Sequence, residues 1–421
     1  MAIDPEEFKK RRAERERQRQ NRQRSMVVRL VIAGIVLALC GVLVFSLVRA
    51  GNSPQDAPQN QTSASTAQGE AQQTQDTTPA KTVIHMAAAG DLNITEAVVN
   101  SGGAEYDYTH TFLDVAHILA QADITAVNLE GNLSGPPYGT DRSAPQSMMD
   151  ALSAAGVDLI QLANSFSIYK GMDGLAETVA GVRLSGMEPL GVRTAGEVKT
   201  QKPYTIRSVQ GVRIAFVSFT KGMDGMALPA GNEGCVNVLY TDYATDYQNV
   251  DTEGISAILD AVNKEKPDIT VALLHWGSEY NNTVSVSQER ICALMQEKGV
   301  DAIIGTHSHY VQKMTFDPAA GTLVAYSLGD LLGDAQRSGS ECSVILDLEI
   351  TKDNHSGETK ITGYSYTPIF TVAESEKPLR VVRIAETMKA FEDGYIDRVS
   401  QQSYDAMAYA LERIRVRITG E

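Results

Sequence analysis

Six apolar runs in this chain each stop on a polar or ionisable side chain, and that repeated ending constrains the fold more tightly than any other feature of the sequence. AAAG runs into Asp91, AVNL into Glu130, LIQLA into Asn164, VALL into His275, AIIGT into His307 and His309, and VAYSLG into Asp330. Between the runs lie segments with helical spacing of apolar residues: Phe112, Val115 and Leu119; Met148, Leu152 and Ala155 before Gly156; Leu175, Val179 and Val182; Ile255, Ile258, Leu259 and Val262; Ile291, Leu294 and Met295. Short apolar strands alternating with helices predict an α/β protein built on a mainly parallel sheet. One departure is a hairpin of residues 204–209 and 212–219 across Gln210-Gly211. Ser285 and Gln288 form a capping-box pattern that opens the last of these helices, and Gly299 closes it.

In an open α/β sheet, ligands bind outside the carboxyl ends of the strands. Taken singly, an Asp or Asn at a strand end is ordinarily a turn or cap residue, and a single His is ordinarily a surface side chain. The joint pattern argues for a metal or anion site, because three of only seven histidines end two of these strands. Carboxylates, an amide oxygen and neutral imidazoles are ligands for divalent Zn, Mn or Fe, and no thiolate joins them. His-x-His on an extended segment sends both imidazoles to one side, which suits one metal or two neighbouring ones. Two metals about 3.5–4 Å apart clamp a phosphoryl group and acidify a bound water. On this reading Asp91 and His309 serve one metal, Glu130 bridges, and Asn164, His275 and His307 serve the second. No catalytic residue and no organic cofactor is assigned. His85 within a strand, His110 and His117 around a helix, and His355 in a polar loop read as structural, and Trp276 reads as wall.

Residues 1–25 carry nine Lys/Arg against five Asp/Glu, and the nineteen residues Leu30 to Val48 carry no charge. That length matches the roughly 20 residues a helix needs to cross a bilayer, and the basic cluster before it places the N-terminus in the cytoplasm. The expected plan is a basic tail (1–25), a transmembrane helix (26–49) and a disordered Gln/Thr/Ser/Pro-rich linker (50–81). An extracytoplasmic domain (82–375) and C-terminal amphipathic helical segments (376–421) follow. The alternative is a cleaved secretory signal ending near Val48-Arg49-Ala50, but the apolar run exceeds the roughly 7 to 15 residues of a signal core. Beyond residue 50 there are 26 Lys/Arg and 47 Asp/Glu, a net of 21 negative charges. That balance disfavours nucleic acid and would repel a polyanion unless a metal or local basic patch inverts the field. Cys235, Cys292 and Cys342, widely spaced and without C-x-x-C, allow at most one disulfide.

Several segments in order resemble the CapA family of poly-γ-glutamate capsule-synthesis proteins, whose domain is similar to the calcineurin-like metallophosphatases. They are AAAGDLNITEAV, ADITAVNLEGNLS, LLHWGSEYNNTVSVSQ, VDAIIGTHSHYVQKM and VAYSLGDLL, spanning about residues 82–335. The resemblance implies a metallophosphatase-like layered sheet with flanking helices. It also implies a membrane-anchored extracytoplasmic role in synthesis or export of an anionic surface polymer, with membrane synthase or export proteins as partners. Three departures stand out. Phe166 and Tyr169 occupy positions where the family keeps a His and an Asp, and that His is expected to assist the leaving group as a general acid in such sites. Asn93 stands where phosphatases place a His, and Asp330 replaces the family's Asn. The expectation is therefore a divalent-metal site with impaired acid catalysis. A working metal-dependent phosphoesterase or polymer hydrolase, and a non-catalytic scaffold for a membrane synthase, are the alternatives.

Overall fold

Thirteen residues from Lys81 to Asn93 make the central strand of the fold, and Ile84, Met86 and Ala88, two apart, turn into one core. The computed structural model describes residues 80–420 apart from 336, 376 and 396–398. The expected tail and span, and the linker up to residue 79, lie outside the described residues. Among the described residues no helix is long and apolar enough to cross a membrane.

In chain order the elements are β1 (Lys81–Asn93), α1 (Glu96–Asn100), α2 (Ala116–Gln121), β2 (Ile124–Glu130), α3 (Gln146–Ala155), β3 (Leu159–Gln161), α4 (Gly171–Leu184) and β4 (Glu188–Leu190). There follow β5 (Tyr204–Val209), β6 (Val212–Thr220), α5 (Thr252–Lys264), β7 (Ile269–His275), α6 (Val286–Glu297), β8 (Ala302–Thr306), β9 (Met314–Asp317) and β10 (Thr322–Ala325). The last are β11 (Asp330–Leu332), β12 (Cys342–Asp353), β13 (Thr359–Val372), β14 (Arg380–Arg383), α7 (Ile384–Glu392) and α8 (Gln401–Thr419).

The strands form two mixed sheets, not one mainly parallel sheet. One has the order β14-β13-β12-β1-β2-β3-β4, with β11 also paired to β1, and the other has the order β5-β6-β7-β8-β10-β9. Parallel pairing holds around the site, β1 with β2 and β11 and β7 with β6 and β8. The antiparallel part comes from β12, β13 and β14 and from the edge pairs β5/β6 and β9/β10. Strand β13 escapes a periodicity reading because it is half-exposed and contains Gly363 and Pro368. The stretch after residue 375 adds a strand, β14, to its two helices.

Side-chain alternation divides the burial. Ile214 and Phe216 of β6 and Val271 and Leu273 of β7 face the core between the sheets, with Ile84 and Met86 of β1 and Val344 and Leu346 of β12. Ala215, Val217, Ala272 and Leu274 face outward onto Ile255 and Leu259 of α5 and Ile291 and Met295 of α6. Strands buried on both faces read as unbroken apolar runs. Met407, Ala410, Ile414 and Ile418 of α8 complete the inter-sheet core.

Local signals act where the sequence places them. Gln210 and Gly211 adopt φ 47 and 85, the left-handed pair of a two-residue hairpin. Ser285 and Gln288 cap α6 reciprocally, and Gly299 follows that helix with φ 82. The helix expected from Phe112 onward begins only at Ala116, yet Phe112, Val115 and Leu119 are all buried.

A close approach near the site requires one glycine. The Asp91 N–H donates to the Gly329 carbonyl at 3.0 Å, and the β1 ladder shifts register beside Asp91. A Cβ on Gly90 would collide with that carbonyl oxygen. Overpacking of this kind costs about 1–3 kcal/mol. Gly90→Ala should therefore lower the urea-unfolding free energy by that amount, whereas Gly363→Ala, whose Cβ would meet nothing within 4 Å, should change it by less than about 0.5 kcal/mol.

Candidate metal centre

The carboxyl ends of the parallel strands from both sheets meet at one place. Register sets Asp91 opposite Asn128 and Asp330 within the first sheet, and Asn93 opposite Glu130. In the second sheet His275 stands opposite Thr306, with His307 next in the chain. The sheets are joined there by the Asp91 carboxylate, which accepts Asn128 Nδ2 at 2.6 Å and the His307 backbone N–H at 2.8 Å.

Asp91, Glu130, His275, His307 and His309 are brought together, each at most 4% exposed. Glu130, His275 and His307 can offer ligand atoms within 4.8 Å of one another, and so can Asp91, Glu130 and His309. Glu130 belongs to both sets. The two His side chains of the H-S-H segment do not converge by strand alternation, since His307 and His309 take φ 91 and 57. Left-handed backbone at two non-glycine residues is costly and is kept only where surroundings enforce it.

Asn164, expected as a ligand of the second metal, reaches the same edge with its amide bonded to the protein. Its Oδ1 accepts the Phe166 N–H at 2.9 Å, and its Nδ2 donates to the Leu129 carbonyl at 2.6 Å and to Asn128 Oδ1 at 3.2 Å. It thus closes a turn and ties the end of β2 to the following loop. His85, His110, His117 and His355 are exposed and belong to neither ligand set. Trp276 is buried, donates to the Tyr326 carbonyl at 2.9 Å and stacks on that ring, so it is wall. Cys235, Cys292 and Cys342 are buried free thiols.

Asp330, the sixth strand-end residue, and partners that strand-end reading does not reach complete the cluster. His275 Nδ1 lies 3.1 Å from Thr306 Oγ1, and its Nε2 lies 3.0 Å from Ser165 Oγ and 3.3 Å from Glu130 Oε1. His309 Nδ1 pairs with Asp330 at 2.8 Å. The Tyr280 ring lies 4.9 Å from the His309 ring, with Arg337 on its other neighbourhood at 4.2 Å. Asn128 sits two residues before Glu130, so period-2 alternation could have found it. Tyr280 and Arg337 carried no such signal.

Electrostatics separate the groups. Burial, with Glu130 adding to it, raises the Asp91 carboxyl above its ordinary range. Glu130 is held well below that range, because His309 and His275 outweigh the burial that opposes them. Burial and the neighbouring His275 push His307 down to about 3, so it is neutral at physiological pH. Burial opposes protonation of His309 too, but Asp330, Glu130 and Asp91 together hold it up to about 11. Burial pushes Asp330 up to about 7 against the pull of His309.

The residues fit a divalent cation on an observation independent of resemblance. Neither oxygen of the buried Glu130 carboxylate and neither ring nitrogen of His307 has a hydrogen bond. Buried polar atoms without partners are strongly disfavoured, and a cation would satisfy the two carboxylate oxygens and one of the two imidazole nitrogens. His275 and His309 each have a second group on the ring, the arrangement that orients imidazole ligands.

Layered mixed sheets whose strand ends present two carboxylate–imidazole sets sharing one glutamate define an α/β protein with a buried cluster compatible with divalent-cation binding. Residues 85–335 match the family described as bacterial capsule synthesis protein PGA_cap, and the chain belongs to that family. It is 26% identical over 281 residues to the capsule biosynthesis protein CapA of Bacillus anthracis, covering 64% of each chain. It is 25% identical over 228 residues to the PGA biosynthesis protein CapA of Bacillus subtilis (strain 168), covering 53% of this chain and 56% of that one. The chain thus spans less than two thirds of these relatives. Among solved structures, the calcineurin-like phosphoesterase YfkN from Bacillus subtilis superposes with TM-score 0.43 and 16% identity, covering 78% of this chain and 99% of that one. A novel phosphatase from Mycoplasma pneumoniae superposes with TM-score 0.43 and 12% identity, covering 69% and 94%.

Opposite shifts on His307 and His309 predict two separate limbs in the pH–stability profile of the metal-stripped protein. The unfolded chain protonates His307 near pH 6.5 and the folded chain only near 3. Stability should therefore fall as pH drops from about 6.5 towards 3. The folded state keeps the His309–Asp330 proton up to about pH 11. That contribution is whole below about 6.5 and is lost as pH rises towards 11. Denaturant titrations across pH should show His307→Gln flattening the acid limb and His309→Gln flattening the alkaline limb; exchange of these two effects would refute the assignment.

Proposed function

We propose that this capsule-synthesis family protein binds two divalent cations at the strand-end cluster and acts outside the cytoplasmic membrane in the synthesis or export of an anionic surface polymer, poly-γ-glutamate or a related chain. The observation that carries the metal part is Glu130, a buried carboxylate shared by both ligand sets, with no well-aligned hydrogen bond although His275 Nε2 lies 3.3 Å from its Oε1. Asp91 and His309 would hold one ion and His275 and His307 the other, with Asn164 positioning the loop beside them. Ions held there would polarise a phosphoryl or carbonyl oxygen and acidify a bound water. The membrane part rests on the uncharged run Leu30 to Val48 behind a basic tail, and the polymer part on the family and on the printed names of its Bacillus relatives.

Phe166 qualifies the chemistry. It is nearly buried, and its ring lies edge-to-face with Tyr169 at 5.5 Å. An aromatic hydrocarbon there cannot donate a proton to a leaving group. General-acid assistance contributes typically 10²–10⁴ in rate, so we expect slow turnover on poor leaving groups. A divalent-cation site with weak hydrolytic chemistry is the reading that fits both Glu130 and Phe166.

Elemental analysis of the purified full-length protein should find close to two divalent ions per chain, and the double variant His275→Ala/His307→Ala should lose at least one. Unchanged metal content in that variant would sink the metal assignment. Phe166→His should raise the rate on an alkyl phosphate more than on an activated aryl phosphate, because only the poor leaving group needs a proton. Equal inactivity of both proteins on both substrates, each metal-loaded, would favour the scaffold reading instead.

A further inference from the structure

Beside the cluster lies a cation that the metal reading does not use. Arg142 Nη1 donates to Asn93 Oδ1 at 2.7 Å and to the Ile94 carbonyl at 3.2 Å. Asn93 stands opposite Glu130 in the ladder, which places the guanidinium on the residue paired with the shared glutamate. Its Cζ lies 4.5 Å from the centroid of the Phe166 ring. The residue that departs from the family's His is thus the platform for an arginine. Phe166 is itself held, through its backbone N–H on Asn164 Oδ1.

The backbone places Arg142 at a cost. Asp141 and Arg142 take φ 52 and 58 in succession, a left-handed pair that L-residues avoid. Asn132 enforces it from both sides, its Nδ2 donating to the Asp141 carbonyl at 2.8 Å and its N–H to the Arg142 carbonyl at 2.8 Å. Lys170 Nζ holds the Asp141 carboxylate at 2.5 Å. Strain that the surroundings over-determine is concentrated where a side chain must be aimed.

We propose that Arg142, seated on Phe166, anchors an oxyanion, phosphate or carboxylate, of the molecule that enters the site. The proposal rests on the reading of the cluster as a divalent-cation centre. Only Nη1 of Arg142 bonds to the described residues, and no carboxylate among them pairs with it, although Asp91, Glu130 and Asp330 line the neighbouring cluster. A guanidinium beside bound divalent cations is repelled by them, and an anion lying between the two removes that repulsion. The planar fork of the guanidinium matches a phosphate or carboxylate edge with two parallel hydrogen bonds. The exchange of His for Phe at 166 then replaces a movable proton with a fixed positive charge, which favours holding an anion over expelling a leaving group. In a domain with a large net negative charge, this local cation also counters the long-range repulsion of an anionic ligand.

Calorimetric titration of inorganic phosphate and, separately, glutarate into the full-length protein tests the proposal, with the protein either loaded with Mn²⁺ or stripped. Arg142→Ala should weaken binding of at least one probe tenfold or more in the loaded protein while leaving Mn²⁺ content unchanged. Whichever probe loses affinity identifies the oxyanion as phosphate or carboxylate. Arg142→Lys and Phe166→Leu should fall between, the first keeping charge without the fork and the second keeping the fork without its platform. Wild-type affinity for both probes in a folded Arg142→Ala protein, or no binding of either probe to the wild type, overturns the proposal. Should Arg142→Ala fail to fold, wild-type affinity in both of the other variants overturns it equally. If the wild type takes up no Mn²⁺ the metal reading fails by itself. The stripped protein then decides: Arg142-dependent binding supports an oxyanion anchor, and its absence refutes one.

Discussion

The Asp91 carboxylate is the point on which the two sheets agree. One oxygen accepts Asn128 from the first sheet and the other accepts the His307 N–H from the second. That pair of bonds ties the strand ends of the two sheets together where the histidines on one side face the carboxylates on the other, beside the Ser165 contact to His275. Both bonds are buried, where an unmet acceptor would be costly. The neighbouring geometry follows from it. Gly90 must lack a side chain so that Asp91 can approach the Gly329 carbonyl, and His307 must accept left-handed backbone to deliver its N–H.

A fold that gathers Asp91, Glu130 and Asp330 with His275, His307 and His309 in its interior accumulates electrostatic cost, since burial disfavours each charged form. The cluster answers this unevenly. His309 and Asp330 pair directly, whereas the Glu130 carboxylate and the His307 ring have no well-aligned hydrogen bond. The paired groups stabilise the folded chain by themselves, and the bare ones are the places where a cation would add most. Structural economy and ligand readiness therefore pull in opposite directions at adjacent residues, the expected signature of a functional site.

Phe166 links the chemistry to the loop that carries Arg142. A His in that position would offer a proton; a Phe offers an apolar face, and a guanidinium occupies it. The site edge accordingly changes from proton donation to charge presentation while the strand-end carboxylates and imidazoles stay in place.

Much of this protein was legible in the sequence because its signals are short-range. Apolar runs of strand length, helical spacing, the Ser285 to Gln288 capping box and the Gln210-Gly211 turn depend on neighbours a few residues away, and so do the polar residues that end each strand. The sequence by itself therefore determined the α/β class, the edge at which the chemistry gathers, the family and the identities of the ionisable groups. Tertiary structure decided what depends on distant pairs. It set two mixed sheets in place of one mainly parallel sheet, since half-exposed β13 and the short edge strands carry no periodic signal. It turned Asn164 towards the Phe166 N–H, bent the H-S-H segment by left-handed backbone, and brought Arg142 over Phe166. The physical reason is the same in each case: which donor meets which acceptor across the fold is fixed by register and packing between strands far apart in the chain, and no local pattern encodes that meeting.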